Sequence, residues 1–245
     1  MPAHQPLIDT LRAAFAAHAN PAQAAAMQAY MKSALPFHGI HTPARRKICT
    51  DAIKAQPAPD ADTLAATMLA LWREAPFREE RYAAMELARV GPHKAWLDLP
   101  LLPVFEEMIV SGAWWDYCDD ISAEAIGKLV ERHPAAMKPV LRRWAEGGDL
   151  WLRRAAILCQ RGLKTSFDAP LFYACILPSI GNASPLAEEF FIRKGIGWAL
   201  RERSYRAGKE VQAFCDEYRE QLSPLTLREG LRVIEQRAAA QQARR

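Results

Sequence analysis

Arg153-Arg154-Ala155-Ala156-Ile157-Leu158 reads as a helix in which charge is followed by small and then aliphatic residues, and the pattern returns along the chain. It recurs as Arg81-Tyr82-Ala83-Ala84-Met85-Glu86-Leu87, as Arg193-Lys194-Gly195-Ile196-Gly197-Trp198-Ala199-Leu200 and as Arg228-Glu229-Gly230-Leu231-Arg232-Val233-Ile234. The segment from Asp116 to Leu129 fits between the first two occurrences, so that the starts fall at 81, 116, 153, 193 and 228, between 35 and 40 residues apart. Small residues at the start of each recurring helix let neighbouring helices approach closely, and the aliphatic stripe buries against the next one. The leading charges have two readings. Arg81, Asp119, Arg154, Arg193 or Lys194, and Arg228 fall along one groove, or they are solvated helix starts.

The remaining segments share the helical spacing of apolar residues, as in Leu7, Leu11, Ala14 and Phe15 or Leu64, Met68, Leu71 and Trp72. Strand-like runs of β-branched residues are nearly absent. Breakers arrive at intervals, among them Pro21, Pro36, Gly39, Pro57, Pro76, Gly91, Pro134, Gly147, Gly181 and Pro224, cutting the chain into roughly a dozen short helices. A repeat of this length in an all-helical chain is the signature of helix-pair solenoids of the HEAT and armadillo kind. The expected fold is therefore all-α: one domain over residues 1–245, a HEAT-like solenoid of roughly six helix pairs with a concave groove that suits an extended ligand.

The chain has 245 residues, half of them hydrophobic and 24% charged, which is ordinary globular composition. No run approaches the roughly 18 to 20 apolar residues of a membrane span, and Met1 to Thr10 carries no secretory signal pattern. Cys49, Cys118, Cys159, Cys175 and Cys215 are odd in number and scattered, which speaks against a disulfide framework and against zinc and places the protein in a reducing cytoplasm. A formal net charge of +4 is compatible with a polyanionic partner without requiring one.

Chemistry concentrates in Trp114-Trp115-Asp116-Tyr117-Cys118-Asp119-Asp120. Trp115 and Asp119 are four apart and share a helix face. An indole beside a carboxylate fills a core poorly, because both need polar partners, whereas the pair is well suited to holding a cation. The competing reading is packing between repeats, to which three carboxylates within five residues lend little support. If the recurring helices lie side by side, Trp198 reaches the same groove with Arg154 between, giving a carboxylate walled by indoles with a guanidinium nearby. His38 and His41 have HxxH spacing, but the turn residues around them and the absence of further ligands nearby argue against metal, and none is expected. Arg45, Arg46 and Lys47 open a helix either as a solvated face or as a grip on a phosphate backbone. No Ser/His/Asp arrangement and no phosphate-binding glycine motif is present.

These stretches, together with Tyr30-Met31-Lys32, Gly39-Ile40-His41-Thr42-Pro43-Ala44-Arg45-Arg46, Trp151 to Leu158 and Glu189 to Glu202, closely resemble the AlkD-like family of DNA alkylation repair enzymes, over residues 7 to 235. The resemblance implies a bacterial, cytoplasmic, monomeric DNA glycosylase of base excision repair without a cofactor. Its substrate would be duplex DNA carrying purines alkylated at N3 or N7. Asp119 falls on the family's catalytic carboxylate, Trp115 and Trp198 on its two active-site indoles, and Arg154 on the arginine beside them. Tyr30, Thr42, Arg46 and Arg201 fall on positions of the DNA-binding groove. Two departures stand out: Arg161, Gly162 and Lys164 where the family often carries a lysine, which leaves Lys164 as the phosphate-contact candidate, and a longer loop from Gly181 to Ala187.

What the resemblance implies is chemically economical. An N-alkylated purine is cationic and leaves without protonation, so the remaining task is to stabilise an oxocarbenium-like sugar, which Asp119 does electrostatically while positioning water. Trp115 and Trp198 add cation–π attraction. Recognition proceeds through the backbone, without the base extrusion common among enzymes that act on bases. The competing class is a non-catalytic HEAT-type scaffold whose groove holds a protein or DNA partner.

Overall fold

The computed structural model describes residues 1–182 and 184–243. These residues form an all-α chain without strands. In order, its helices are α1 (Gln5–Ala17), α2 (Pro21–Met31), α3 (Thr42–Ala55), α4 (Ala61–Arg73), α5 (Arg78–Leu87), α6 (Leu102–Gly112) and α7 (Trp115–Ile121). There follow α8 (Gly127–Arg132), α9 (Pro134–Glu146), α10 (Leu150–Leu158), α11 (Ala169–Ile176), α12 (Phe190–Glu217) and α13 (Pro224–Gln242). The contacts divide the chain into two compact units, Met1–Met108 and Ile109–Arg245, with α6 running across the boundary.

In the first unit, α1 lays Leu7, Ile8, Leu11 and Phe15 against α3, α4 and α5. Its loop from His38 to Ile40 is held by one buried carboxylate. Glu79, at the start of α5, accepts N–H groups from His38 at 3.0 Å, Gly39 at 3.0 Å and Ile40 at 3.2 Å. Gly39 takes a left-handed φ of +84°, and a Cβ there would stand 2.2 Å from the Asn20 carbonyl oxygen, so no other residue fits. His38 stacks on Phe77 at 3.8 Å and burial lowers its pKa, with Glu79 opposing. His41 is exposed at the mouth of α3. The HxxH spacing thus serves a turn, and among the described residues no three metal-ligating side chains gather. The basic triplet divides as well. Arg45 is buried against Glu86 at 3.0 Å and over the Tyr82 ring, while Lys47 pairs with Asp51 on the surface.

In the second unit, α7 packs on α10, α10 on α12 and α12 on α13, while α9 and α11 pair behind them. The recurring helices that start at 116, 153, 193 and 228 are this first row, whereas the one at 81 is α5 of the first unit, and the alternation of rows is a helical repeat. Local signals set the boundaries: Asp149 caps α10 through the N–H groups of Trp151 and Leu152, Asp168 caps α11 and Ser223 caps α13. Ile157, Leu158, Phe172, Ile176, Ile192, Ile196 and Leu200 form the centre of its core. A π-helical turn, Ser122–Ile126, joins α7 to α8 in one rod, just past Asp119. Non-helical φ/ψ at Ala207 divides α12 into two segments.

The leading charges are neither a uniform groove lining nor uniformly solvated. Arg81 lies over the Trp72 ring at 4.8 Å. Arg153 is buried and donates to the carbonyls of Glu146, Gly147 and Pro178, fastening helix ends together. Arg193 bridges Glu188, and Lys194 bridges Glu229. Of the loop Gly181 to Ala187, residue 183 lies outside the described residues, as do 244 and 245 of the tail.

Candidate active site

Ala113, at a left-handed φ of +44°, turns the chain into an extended Trp114, from which α7 begins at Trp115. A non-glycine residue in that region carries local strain, and it lies directly beside the carboxylate cluster. One turn on, Asp119 is 7% exposed and Arg154, on α10, is 3% exposed. The two meet in a bidentate pair, Arg154 Nε donating to Oδ1 at 2.7 Å and Nη2 to Oδ2 at 2.8 Å. The third guanidinium nitrogen, Nη1, donates to the Phe191 carbonyl oxygen. All three nitrogens are therefore committed, and the plane of the guanidinium is fixed from two sides.

Room for that plane comes from α12. A Cβ on Gly195 would stand 2.9 Å from Arg154 Nη1, well inside van der Waals contact. Behind Phe191, Trp114 packs edge-on at 5.7 Å between ring centroids and Trp151 lies at 5.1 Å, so the acceptor of Arg154 is held by aromatic packing. Burial pushes the Asp119 carboxyl above its ordinary pKa. The Arg154 hydrogen bonds oppose that push, followed by the charges of Arg154 and Arg161, whereas Asp116 adds to it.

Trp198, half-buried on α12, packs against the core of the second unit. The Arg161 guanidinium lies 3.6 Å over its ring centroid. Burial lowers the pKa of Arg161, and Asp119 is the strongest charge favouring its cation, ahead of Glu202. Asp119, Arg154, Arg161 and Trp198 thus form one electrostatic cluster, with half-buried Trp115 one helical turn from the carboxylate. The carboxylate and the indole face suit positive charge, and two guanidinium groups already serve there, Arg154 on Asp119 and Arg161 over Trp198. A carboxylate with both oxygens engaged by a guanidinium is a fixed anion rather than a proton donor or an attacking group.

The other residues expected at a DNA surface are distributed as follows. Lys164 is exposed just beyond α10, and Arg201 is tied to Glu229 at 2.5 Å, the carboxylate that Lys194 also holds. In the first unit, Tyr30 is 75% exposed near the end of α2, Thr42 is exposed as the first residue of α3, and Arg46 is exposed with its Nε 3.5 Å from Glu86. Two members of the cluster escaped the sequence reading as site residues. Arg161 stood out only as a departure at an expected lysine. Gly195 was one small residue in a recurring pattern, and nothing in its spacing distinguishes a gap for a guanidinium from close helix packing.

The sequence profile of the DNA alkylation repair enzymes matches residues 11–234. A solved structure described as a predicted DNA alkylation repair enzyme from Enterococcus faecalis is similar at a TM-score of 0.70 and 30% identity, over 87% of this chain and 95% of that one. No curated protein matches the sequence.

Proposed function

Given that the chain belongs to the DNA alkylation repair enzymes, we propose that it is a DNA glycosylase hydrolysing the N-glycosidic bond of N3- or N7-alkylated purines in duplex DNA. The observation that supports this most is the buried bidentate pair of Asp119 and Arg154. An anion fixed before the reaction begins requires no reorganisation when positive charge develops, which is the condition under which electrostatic stabilisation is strongest. Asp119 faces the sugar as the bond from C1′ to the base nitrogen breaks. The electron pair leaves with the base, neutralising its alkyl-induced charge, and water completes the bond to C1′ and releases a proton. No general acid is needed because the leaving base is already cationic.

Trp115 and Trp198 flank the sugar, and each contributes roughly 0.5 to 2 kcal/mol of cation–π attraction. Neutral purines leave too poorly for a carboxylate alone, which supplies selectivity without a base-binding pocket and without base flipping. Tyr30, Thr42, Arg46, Lys164 and Arg201 contact the DNA backbone. The protein acts as a monomer in the cytoplasm and as a single solenoid of HEAT-like pairs.

A second reading, a non-catalytic scaffold, draws on Arg161, since a peptide arginine would suit the place that this side chain takes over Trp198. Incubation with randomly methylated duplex DNA separates the two. Release of free N3- or N7-methylpurine, together with salt-sensitive duplex binding, is the expected result; duplex left intact by protein that melts cooperatively would overturn the glycosylase reading.

A further inference from the structure

The two groups that the proposed function assigns to the sugar cation are already serving a cation in this structure. Arg161 covers the Trp198 ring at 3.6 Å, and its strongest favourable charge partner is Asp119. Arg154 pairs directly with Asp119 at 2.7 Å, and the charge of Arg161 acts on the same carboxylate. Arg154 is the fixed one, since its three nitrogens are hydrogen-bonded. Arg161 differs: its Nη1 is buried without a hydrogen-bond partner, a costly condition for a charged donor. It also sits in the turn that follows α10, beside Gly162 at a left-handed φ of +102°. A cavity of about 100 Å³ adjoins it, lined among others by Gln160, Glu202 and Arg206, with space for the end of an arginine side chain.

We infer that Arg161 is a resident cation, occupying the place of the sugar's positive charge over Trp198 in the free protein and withdrawing when a DNA strand enters. The inference rests on the glycosylase reading of the site. Arriving phosphates supply the hydrogen-bond acceptor that the buried Nη1 lacks, and withdrawal of the guanidinium uncovers Trp198 and leaves Asp119 with Arg154 alone. Affinity for a cationic sugar is then set by competition with Arg161, which makes this side chain a specificity-determining residue. Without DNA the place over Trp198 stays occupied.

The test compares two duplexes that differ in one residue: a pyrrolidine abasic analogue, which is cationic, and a tetrahydrofuran analogue, which is neutral and of nearly the same shape. The ratio of their Kd values at fixed salt cancels the loss of any general phosphate contact. Arg161→Met is expected to raise the preference for pyrrolidine by roughly 3- to 30-fold, the range of a cation–π contact, and Arg161→Lys to raise it less. An unchanged or reduced preference in Arg161→Met would overturn the inference, as would failure of the wild-type protein to bind either duplex. Should Arg161→Met fail to fold, Arg161→Gln carries the same comparison. Base release by the wild-type protein from methylated DNA is scored separately, so failure of the glycosylase reading is seen apart from failure of the resident cation.

Discussion

Gly195→Ala places one methyl group against the guanidinium that orients Asp119. The added Cβ would lie 2.9 Å from Arg154 Nη1, with Cγ and Cζ of the same side chain at 3.7 Å. Relief to ordinary contact requires a movement of roughly 0.5 to 1 Å. A free arginine would swing aside, but this one is held at Asp119 Oδ1, Asp119 Oδ2 and the Phe191 carbonyl. The methyl group therefore either strains α12 against α10, at about 1 to 3 kcal/mol, or slides the guanidinium along the carboxylate and breaks the bidentate geometry. Misplacement on this scale costs on the order of 100-fold in rate. It also has a signature in pH. Arg154 is the first of the influences holding the Asp119 carboxyl down against burial, so loosening it moves that pKa further up. Excision of N7-methylguanine under single-turnover conditions is expected to fall by about 10- to 100-fold. The acid limb of its pH profile should move to higher pH, while the duplex Kd changes little. Wild-type rates with an unshifted acid limb would refute the claim that Arg154 positions Asp119.

Adjacent arginines on α10 are expected to separate by phenotype. Arg153→Met leaves the carbonyls of Glu146, Gly147 and Pro178 without their donor and is expected to cost about 2 to 4 kcal/mol in chemical denaturation while excision survives at low temperature; loss of excision in folded Arg153→Met protein would contradict the division. Glu79→Gln replaces the one acceptor of three buried N–H groups and is expected to destabilise the protein by about 2 kcal/mol or more, read as a lowered denaturation midpoint. Acid stability follows from carboxylates whose pKa is lowered by partners: Glu210 by Arg203, Asp168 by Lys138 and Glu229 by Lys194. Because their folded values lie below the unfolded ones, their contribution is present above the ordinary carboxylate range and lost as pH falls through the folded values, so the melting temperature is expected to drop below about pH 4. Glu80 and Asp119, raised chiefly by burial, act in the opposite direction, and a melting temperature rising toward pH 3 would show that they dominate.

The helices were legible because periodicity, proline and capping aspartates are local signals. Ala155-Ala156-Ile157-Leu158 and its counterparts from Asp116, Arg193 and Arg228 marked the row formed by α7, α10, α12 and α13, and the counterpart after Arg81 marked α5. Asp119 and Trp115 lie on one helix, where their four-residue spacing puts them on a shared face. What the leading charges do was not, because the direction of a side chain at a helix start depends on the neighbour it meets. Arg153 and Arg154 are consecutive, yet one fastens carbonyls at helix ends and the other clamps the site carboxylate. Gly39-Ile40-His41-Thr42 was readable as a motif but not as a loop closed by Glu79, whose carboxylate lies 40 residues away along the chain from Gly39. Arg161 over Trp198 has the same origin, two residues on different elements brought together only by packing.

The central claim is that Asp119 stabilises the sugar cation, and Asp119→Asn tests it most directly. Asparagine keeps the size of the side chain and one acceptor oxygen for Arg154, and removes the charge. Single-turnover release of N7-methylguanine from duplex DNA is the measurement, with the duplex Kd determined in parallel. A loss of about 100-fold or more in release, at a duplex Kd within a few-fold of wild type, is the result this account predicts, and release at the wild-type rate would contradict it.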